Sequence, residues 1–217
     1  MGTVESNKFL DAIVLCGPSG VGKGTLLNRL LSDYKDRFAF SISHTTRGIR
    51  EGEVDGRHYH FVPVEVMKEM ERRGEFLEMC EVHGNFYGTS IAAVQAARKD
   101  GKVCIIEIDV KGAMKLHARE QDGSITARYL FLTAPMEVLR DRLLLRGTES
   151  EALRQRRLET AKFELDFLEA NPDLFSAVVV NDDLNMAYTR LVQSINAIFS
   201  QFRIAPLDPE KMELDNW

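Results

Sequence analysis

Val14 to Leu30 reads VLCGPSGVGKGTLLNRL, and its core departs by one residue from the phosphate-cradling pattern G-x-x-x-x-G-K-[ST], because Gly24 stands where the pattern puts a hydroxyl. Gly17, Gly20 and Gly22 allow successive backbone N–H groups to turn toward an anion, a helix N-terminus lies behind them, and Lys23 can meet the outer phosphates. The preceding run AIVLCG (Ala12 to Gly17) is short, apolar and ends in glycine, as a buried strand of a parallel sheet does. After the loop, Leu26, Leu27, Leu30, Leu31 and Tyr34 recur on one face of a helix. Strand, glycine loop and helix thus stand in the order the motif needs. Thr25 starts the helix one position beyond the missing hydroxyl, turned about 100° around the axis from residue 24. Its side chain and N–H can still reach a phosphate, and together Gly17, Pro18, Ser19, Gly20, Val21, Gly22, Lys23, Gly24 and Thr25 form a candidate triphosphate cradle.

Outward from this stretch the same alternation returns. VCIIEIDV (Val103 to Val110), ARYLFLT (Ala127 to Thr133) and AVVVN (Ala177 to Asn181) are β-type runs, each followed by a helical pattern, which predicts an α/β doubly wound parallel sheet. Residues 10–43 and 98–202 supply that core. Residues 44–97 break the rhythm: GEVDGRHYHFV, EFLEMCEV and GNFYGTS are strand-like, with the helical PVEVMKEMERRG among them, and HYH (His58, His60) alternates as a strand would. A small mixed α/β insertion at the carboxyl end of a strand belongs over a ligand crevice. Residues 140–160 read as helix, a break at Gly147, then a long helix with Thr148 and Glu151 at capping-box spacing and Pro172 beyond its end. The segment 203–217 reads as a loose acidic tail.

The chain of 217 residues is long enough for one domain with an insertion. A net charge of -5 argues against general nucleic-acid binding, and no stretch approaches the roughly 20 consecutive apolar residues of a membrane span. Cys16, Cys80 and Cys104 are widely spaced, which suits reduced thiols in a cytoplasmic protein, and the histidines lack zinc-ligand spacing. The first residues have no secretory-signal pattern. Gly2 and Ser6 fit a loose myristoylation pattern, but Glu5 is acidic and no polybasic run follows, so an ordinary start is expected.

Beyond the loop, SHTTRGIREGE, HYHF, EFLE, GNFYGTS, IEIDVKG, RGTESE and VNDDL follow in order. With GPSGVGKGT, this series resembles the guanylate kinase family from about Ala12 to Phe202. The resemblance implies a P-loop three-layer core with a parallel sheet, an inserted GMP-binding subdomain and a helical lid. It implies transfer of the γ-phosphoryl group of ATP to GMP, and to dGMP, with Mg2+, by a monomer.

Arg47 and Arg50 lie three apart, and guanidinium forks suit phosphate oxygens. Alone, the pair also reads as solvated charge, and Tyr59 as a packing residue. The resemblance assigns both arginines, with Tyr59 and Tyr87, to the GMP phosphate. Guanine offers two adjacent N–H donors and an acceptor, which a carboxylate and a hydroxyl can read. The matching positions are Glu78, Ser43 and Thr89. Glu107 and Asp109 stand at i and i+2 in a strand-like run, on one face. By resemblance they organise the GMP end, with Asp109 supporting magnesium through water. Arg142 and Arg146 share a helical face and Arg157 follows on the next helix; in the family such lid arginines meet the transferring phosphates beside Lys23 and Arg47. Asn181 and Asp182 match the turn near adenine, and as plain sequence they could cap the last helix. Two other readings start from the same residues: a peptide-binding module with a degraded ATP site, and a kinase for another acceptor such as AMP, whose loop also ends GKGT. The intact Lys23 loop opposes the first. Arg47, Arg50, Tyr59 and Glu78 in their order oppose the second.

Overall fold

The structure, a computed structural model, describes residues 9–82, 84–145 and 151–212. Its elements are β1 (Ala12–Cys16), α1 (Lys23–Asp33), β2 (Phe38–Phe40), β3 (His44–Thr45), β4 (His60–Phe61), α2 (Val64–Arg72), β5 (Phe76–Val82), β6 (Asn85–Ser90), α3 (Ile91–Lys99), β7 (Val103–Glu107), α4 (Val110–Gln121), β8 (Ala127–Thr133), α5 (Met136–Leu145), α6 (Glu151–Ala170), β9 (Ala177–Val180) and α7 (Leu184–Gln201). One sheet has the order β2-β7-β1-β8-β9, with β2 parallel to β7 and β8 parallel to β9; the other has the order β4-β3-β6-β5 and mixes parallel with antiparallel pairs. The predicted α/β fold with a parallel sheet and a separate mixed sheet is therefore present. None of the described helices is long and apolar enough to cross a membrane.

The chain divides into two compact units, with β1 shared between them. Among the described residues, one holds 9–10, 15–35, 128–145 and 151–212; the other holds 11–14, 36–82 and 84–127. In the first, Leu130, Phe131 and Leu132 of β8 are fully buried, as expected of a strand covered on both faces. Helix α7 buries Ala187, Tyr188, Leu191, Val192, Ile195, Ile198 and Phe199, a stripe at helical period. Within this core Arg29 is 1% exposed; its guanidinium lies 4.1 Å from the Tyr188 ring centroid and donates to Asn185 Oδ1 at 2.8 Å. Cation and ring attract, and the charged head keeps a hydrogen-bond partner although it is out of water.

The loose tail is not what the structure has at residues 207 and 208. Leu207 is buried and its N–H donates to Asn196 Oδ1 at 2.7 Å, while Tyr34 donates its hydroxyl proton to the Asp208 carbonyl at 2.7 Å. Leu207 gives the segment an apolar side chain to bury, and the Asn196 side chain of α7 accepts its backbone N–H. Residues 213–217 of that tail lie outside the described residues, as do Gly2 and Ser6.

In the second unit β5 and β6 pair antiparallel, with Glu78 opposite Thr89 and Cys80 opposite Tyr87. Two local expectations change here. Strand β4 starts only at His60, because His58 folds back and its Nδ1 accepts from the Val54 N–H at 2.9 Å. Strand β7 ends at Glu107, and Asp109 is the N-cap of α4, its Oδ1 accepting from the Gly112 N–H at 2.8 Å. Glu107 and Asp109 are thus not neighbours on one strand face. An aspartate two residues past a strand satisfies an orphan helix donor better than it extends a ladder.

The three cysteines are buried and unpaired with one another. Burial pushes the Cys80 thiol up to about 11 and the Cys104 thiol up to about 12, so neither is a reactive thiolate at neutral pH.

Candidate functional site

The phosphate loop lies in the first unit. Gly22, the N-cap of α1, has φ 96°, a left-handed conformation that glycine adopts without strain. Helix α1 begins at Lys23, two residues before the predicted start at Thr25. The Lys23 ammonium donates to the Gly17 carbonyl at 2.5 Å and to the Pro18 carbonyl at 3.3 Å, so the side chain is folded over the loop it serves.

Gly17 has φ 141°, and a Cβ there would stand 2.1 Å from the Leu132 carbonyl oxygen. Gly17→Ala is therefore expected to destabilise the protein by about 3 kcal/mol, through overpacking against backbone that has no side chain to yield. Thermal denaturation would read this as a fall of several degrees in Tm; an unchanged Tm would contradict the packing.

Distant segments close around the loop. Asn181, 2% exposed, donates from Nδ2 to the Val21 carbonyl at 2.6 Å, and Arg142 Nη1 reaches the same carbonyl at 3.3 Å. Arg157 Nη1 donates to Ser19 Oγ at 2.7 Å. A cleft of about 400 Å³ is lined by Gly20, Gly22, Thr25, Arg142, Leu145, Asn181 and Leu184, which brings Thr25 and Asn181 to one wall system. Asn181 and Asp182 do not cap the last helix: Asp183 does, accepting the Met186 N–H at 2.9 Å. The Asp182 carboxylate turns instead to Arg190 Nη1 at 2.9 Å. The site expectation at Arg146, the Gly147 break and the Thr148 cap fall outside the described residues.

The second unit holds the carboxylate and the arginines. Glu78 is 5% exposed and its Oε1 accepts the Thr89 N–H at 2.9 Å. Burial, reinforced by the charge of Asp109, raises its pKa to about 7, against the lowering effects of the Thr89 hydrogen bonds and of Lys115. Gly112 makes room: a Cβ there would lie 3.0 Å from Glu78 Oε2. Thr89 and Ser43 are both buried, so the expected hydroxyls are out of bulk water.

Arg47 gathers the tyrosines. Its guanidinium carbon is 5.3 Å from the Tyr59 ring centroid, Tyr59 and Tyr87 meet edge to face at 5.9 Å, and the Tyr87 hydroxyl stands beside the guanidinium. Burial pushes Tyr59 up to about 12, with the charge of Glu107 adding to it, so its hydroxyl keeps its proton and can donate. Arg50 is exposed, and its backbone N–H donates to Glu53 Oε2 at 2.8 Å. Glu53 and Gly112 are the residues sequence reasoning passed over. Glu53 looked like one more acid in a charged turn, although its spacing of three from Arg50 offered a signal.

The family model described as guanylate kinase matches residues 10–198. The chain belongs to the guanylate kinase family. It is 48% identical to guanylate kinase 1 of Oryza sativa subsp. japonica over 82% of this chain and 46% of that protein. It is 45% identical to the guanylate kinase of Schizosaccharomyces pombe over 84% of this chain and 88% of the relative. With the Homo sapiens guanylate kinase the identity is 40% over 85% of this chain and 91% of the relative. The chain thus spans about half the length of the rice relative and most of the other two. The crystal structure of a guanylate kinase from Anaplasma phagocytophilum superposes with a TM-score of 0.65 at 30% identity, covering 86% of this chain and 85% of that one.

Proposed function

We propose that this guanylate kinase family chain transfers the γ-phosphoryl group of ATP to GMP, giving ADP and GDP, and to dGMP, giving ADP and dGDP. The observation that carries this reading is the retained phosphate loop: Lys23 is present, α1 starts directly behind the glycines, and the cleft beside them is built. A module that had given up phosphoryl transfer has no need of that lysine.

In this reading residues 17–25, Arg142, Arg146, Arg157, Asn181 and Asp182 serve ATP, while Ser43, Arg47, Arg50, Tyr59, Glu78, Tyr87, Thr89, Glu107 and Asp109 serve GMP. Glu78 accepts the guanine N1–H and N2–H, Thr89 and Ser43 offer hydroxyls to the base, and Arg47 with Tyr59 and Tyr87 holds the phosphate. Arginines and Lys23 spread positive charge over the moving phosphoryl group, so catalysis is positioning and electrostatics without a covalent protein intermediate. Because Asn181 lines the cleft and is bonded to Val21, it also holds the loop's shape.

The donor set suits magnesium carried on the nucleotide. Gly24 offers no ligand atom, and a hard cation of this size is satisfied by phosphate oxygens and waters. When bound, the ion neutralises phosphate charge. Asp109, with Oδ1 engaged by Gly112, keeps Oδ2 for a water of that kind. Three buried cysteines that form no disulfide with one another suit a reducing cytoplasm.

A coupled assay with ATP, magnesium and GMP, dGMP, AMP or UMP in turn tests the proposal. ADP should form with GMP and dGMP, with kcat/KM at least about a hundredfold lower for AMP, whose ring nitrogen leaves the Glu78 carboxylate mispaired. No ADP with GMP from folded protein would sink the phosphotransferase reading, and equal use of AMP would sink the role of Glu78.

A further inference from the structure

We infer that Glu53 is a positioning residue for the acceptor phosphate: it fixes the Arg47 fork so that one edge of the guanidinium is presented to the anion. This rests on the reading of Arg47 as a holder of the GMP phosphate. Glu53 Oε2 accepts from Arg47 Nη1 at 2.9 Å and Oε1 accepts from Nη2 at 2.8 Å, while the Gly48 carbonyl takes the other Nη1 proton at 2.7 Å. A guanidinium has five N–H donors in a rigid plane. With those directions taken, the Nε–H and the outer Nη2–H lie side by side on the remaining edge. That is the geometry in which arginine grips two oxygens of a phosphate at once. The Tyr87 hydroxyl also hydrogen-bonds the guanidinium, so phosphate arrives where a neutral hydroxyl already stands.

The same carboxylate also sets the loop. Oε2 accepts the Arg50 N–H at 2.8 Å, and the Glu53 N–H donates back to the Arg50 carbonyl at 3.0 Å, closing the turn that contains Gly52 at φ 80°. The side chains of Arg47 and Glu53 are 11% and 18% exposed, whereas the Arg73 and Glu69 side chains of an ordinary surface pair are 64% and 33% exposed. The Arg47 pair is therefore screened less by water and keeps one geometry. Arg47 is also packed within 5.6 Å of the Phe61 ring centroid and 5.3 Å of that of Tyr59. An arginine already held on its far edge loses little side-chain freedom when phosphate arrives. A placeholder carboxylate, displaced by the incoming phosphate, would act in the opposite sense, since its removal would tighten GMP binding.

Steady-state kinetics of Glu53→Gln and Glu53→Asp in the full chain separate these signs. Glu53→Gln should raise KM for GMP by about tenfold or more, with KM for ATP and kcat within about twofold, because uniform binding at one substrate is lost. Glu53→Asp, which keeps the charge at shorter reach, should recover part of that loss. Thermal denaturation identifies folded variants, and should Glu53→Gln not fold, the same GMP-only rise in KM is required of Glu53→Asp. An unchanged or lowered KM for GMP in a folded variant overturns the inference, as does an equal rise for ATP. Absence of GMP phosphorylation by the parent protein overturns the functional reading and this inference with it, a result distinct from normal turnover that ignores Glu53.

Discussion

Lys23→Ala is expected to lower kcat with GMP by about a thousandfold, equivalent to roughly 4 kcal/mol of transition-state stabilisation. In the structure the ammonium rests on the Gly17 and Pro18 carbonyls, at 2.5 and 3.3 Å. Phosphate oxygens are charged acceptors and bind an ammonium more strongly than neutral carbonyls do, so the lysine is held near the position in which it works. The loop glycines hold their positive φ values by backbone geometry, and loss of the part-buried hydrogen bonds to Gly17 and Pro18 costs on the order of 1 kcal/mol each. Thus turnover should collapse while Tm stays within a few degrees of the parent. Lys23→Arg should rescue little, since a planar fork cannot occupy the place of a compact point charge. Single-turnover measurement of GDP formation decides the matter; Lys23→Ala within tenfold of the parent would remove Lys23 from the chemistry.

The second large effect belongs to Glu78. Glu78→Gln should lower kcat/KM for GMP by about a hundredfold, because one guanine donor then faces an amide N–H instead of a carboxylate oxygen. Acid should produce a weaker version of the same loss. With its pKa near 7, Glu78 becomes neutral as pH falls, and KM for GMP should rise about tenfold between pH 8 and pH 6. A phosphate monoester itself gains a proton near pH 6. The Glu78→Gln variant, which retains only that contribution, isolates the carboxylate's share.

Stability should move the other way. The folded pKa is raised from 4.5 to about 7, so the ligand-free folded state binds more protons than the unfolded chain between those values, and stability falls as pH rises through that window. Above it the charged, buried carboxylate costs on the order of 3 kcal/mol. Glu78→Gln, whose amide oxygen can still accept the Thr89 N–H, should therefore melt higher than the parent at pH 8, with the gap narrowing toward pH 5. A variant that loses both activity and stability at pH 8 would contradict the burial argument.

Much of this was legible in the sequence because its signals are local. The apolar run before Gly17 and the helical stripe after Lys23 each need only neighbours, and β1 and α1 follow from them. Arg47, Tyr59 and Tyr87 were legible through the ordered motifs, and the structure does cluster them. The rest depended on contacts that spacing does not encode. VCIIEIDV is apolar as far as Val110, so nothing in its period marks the end of β7 at Glu107 and the capping role of Asp109. Asn181 bonds to Val21 across 160 residues, and a turn asparagine three residues before a helix resembles a cap until that partner is seen. Leu207 was hidden in a terminal segment whose prolines and charges read as a loose tail. Glu53 was obscured in the same way, since an acid among arginines reads as surface charge until both of its oxygens are found on Arg47.

Asp109 has one further consequence. Its Oδ1 closes the first turn of α4 through Gly112, and its charge helps lift the pKa of Glu78. A single carboxylate thus joins helix initiation to the protonation of the proposed base-reading carboxylate, and a substitution there is expected to move both together. Glu78 packs against the same turn, its Oε2 3.0 Å from where a Gly112 Cβ would stand, so the two carboxylates and the start of α4 form one coupled unit in which a change at any member is felt by the others.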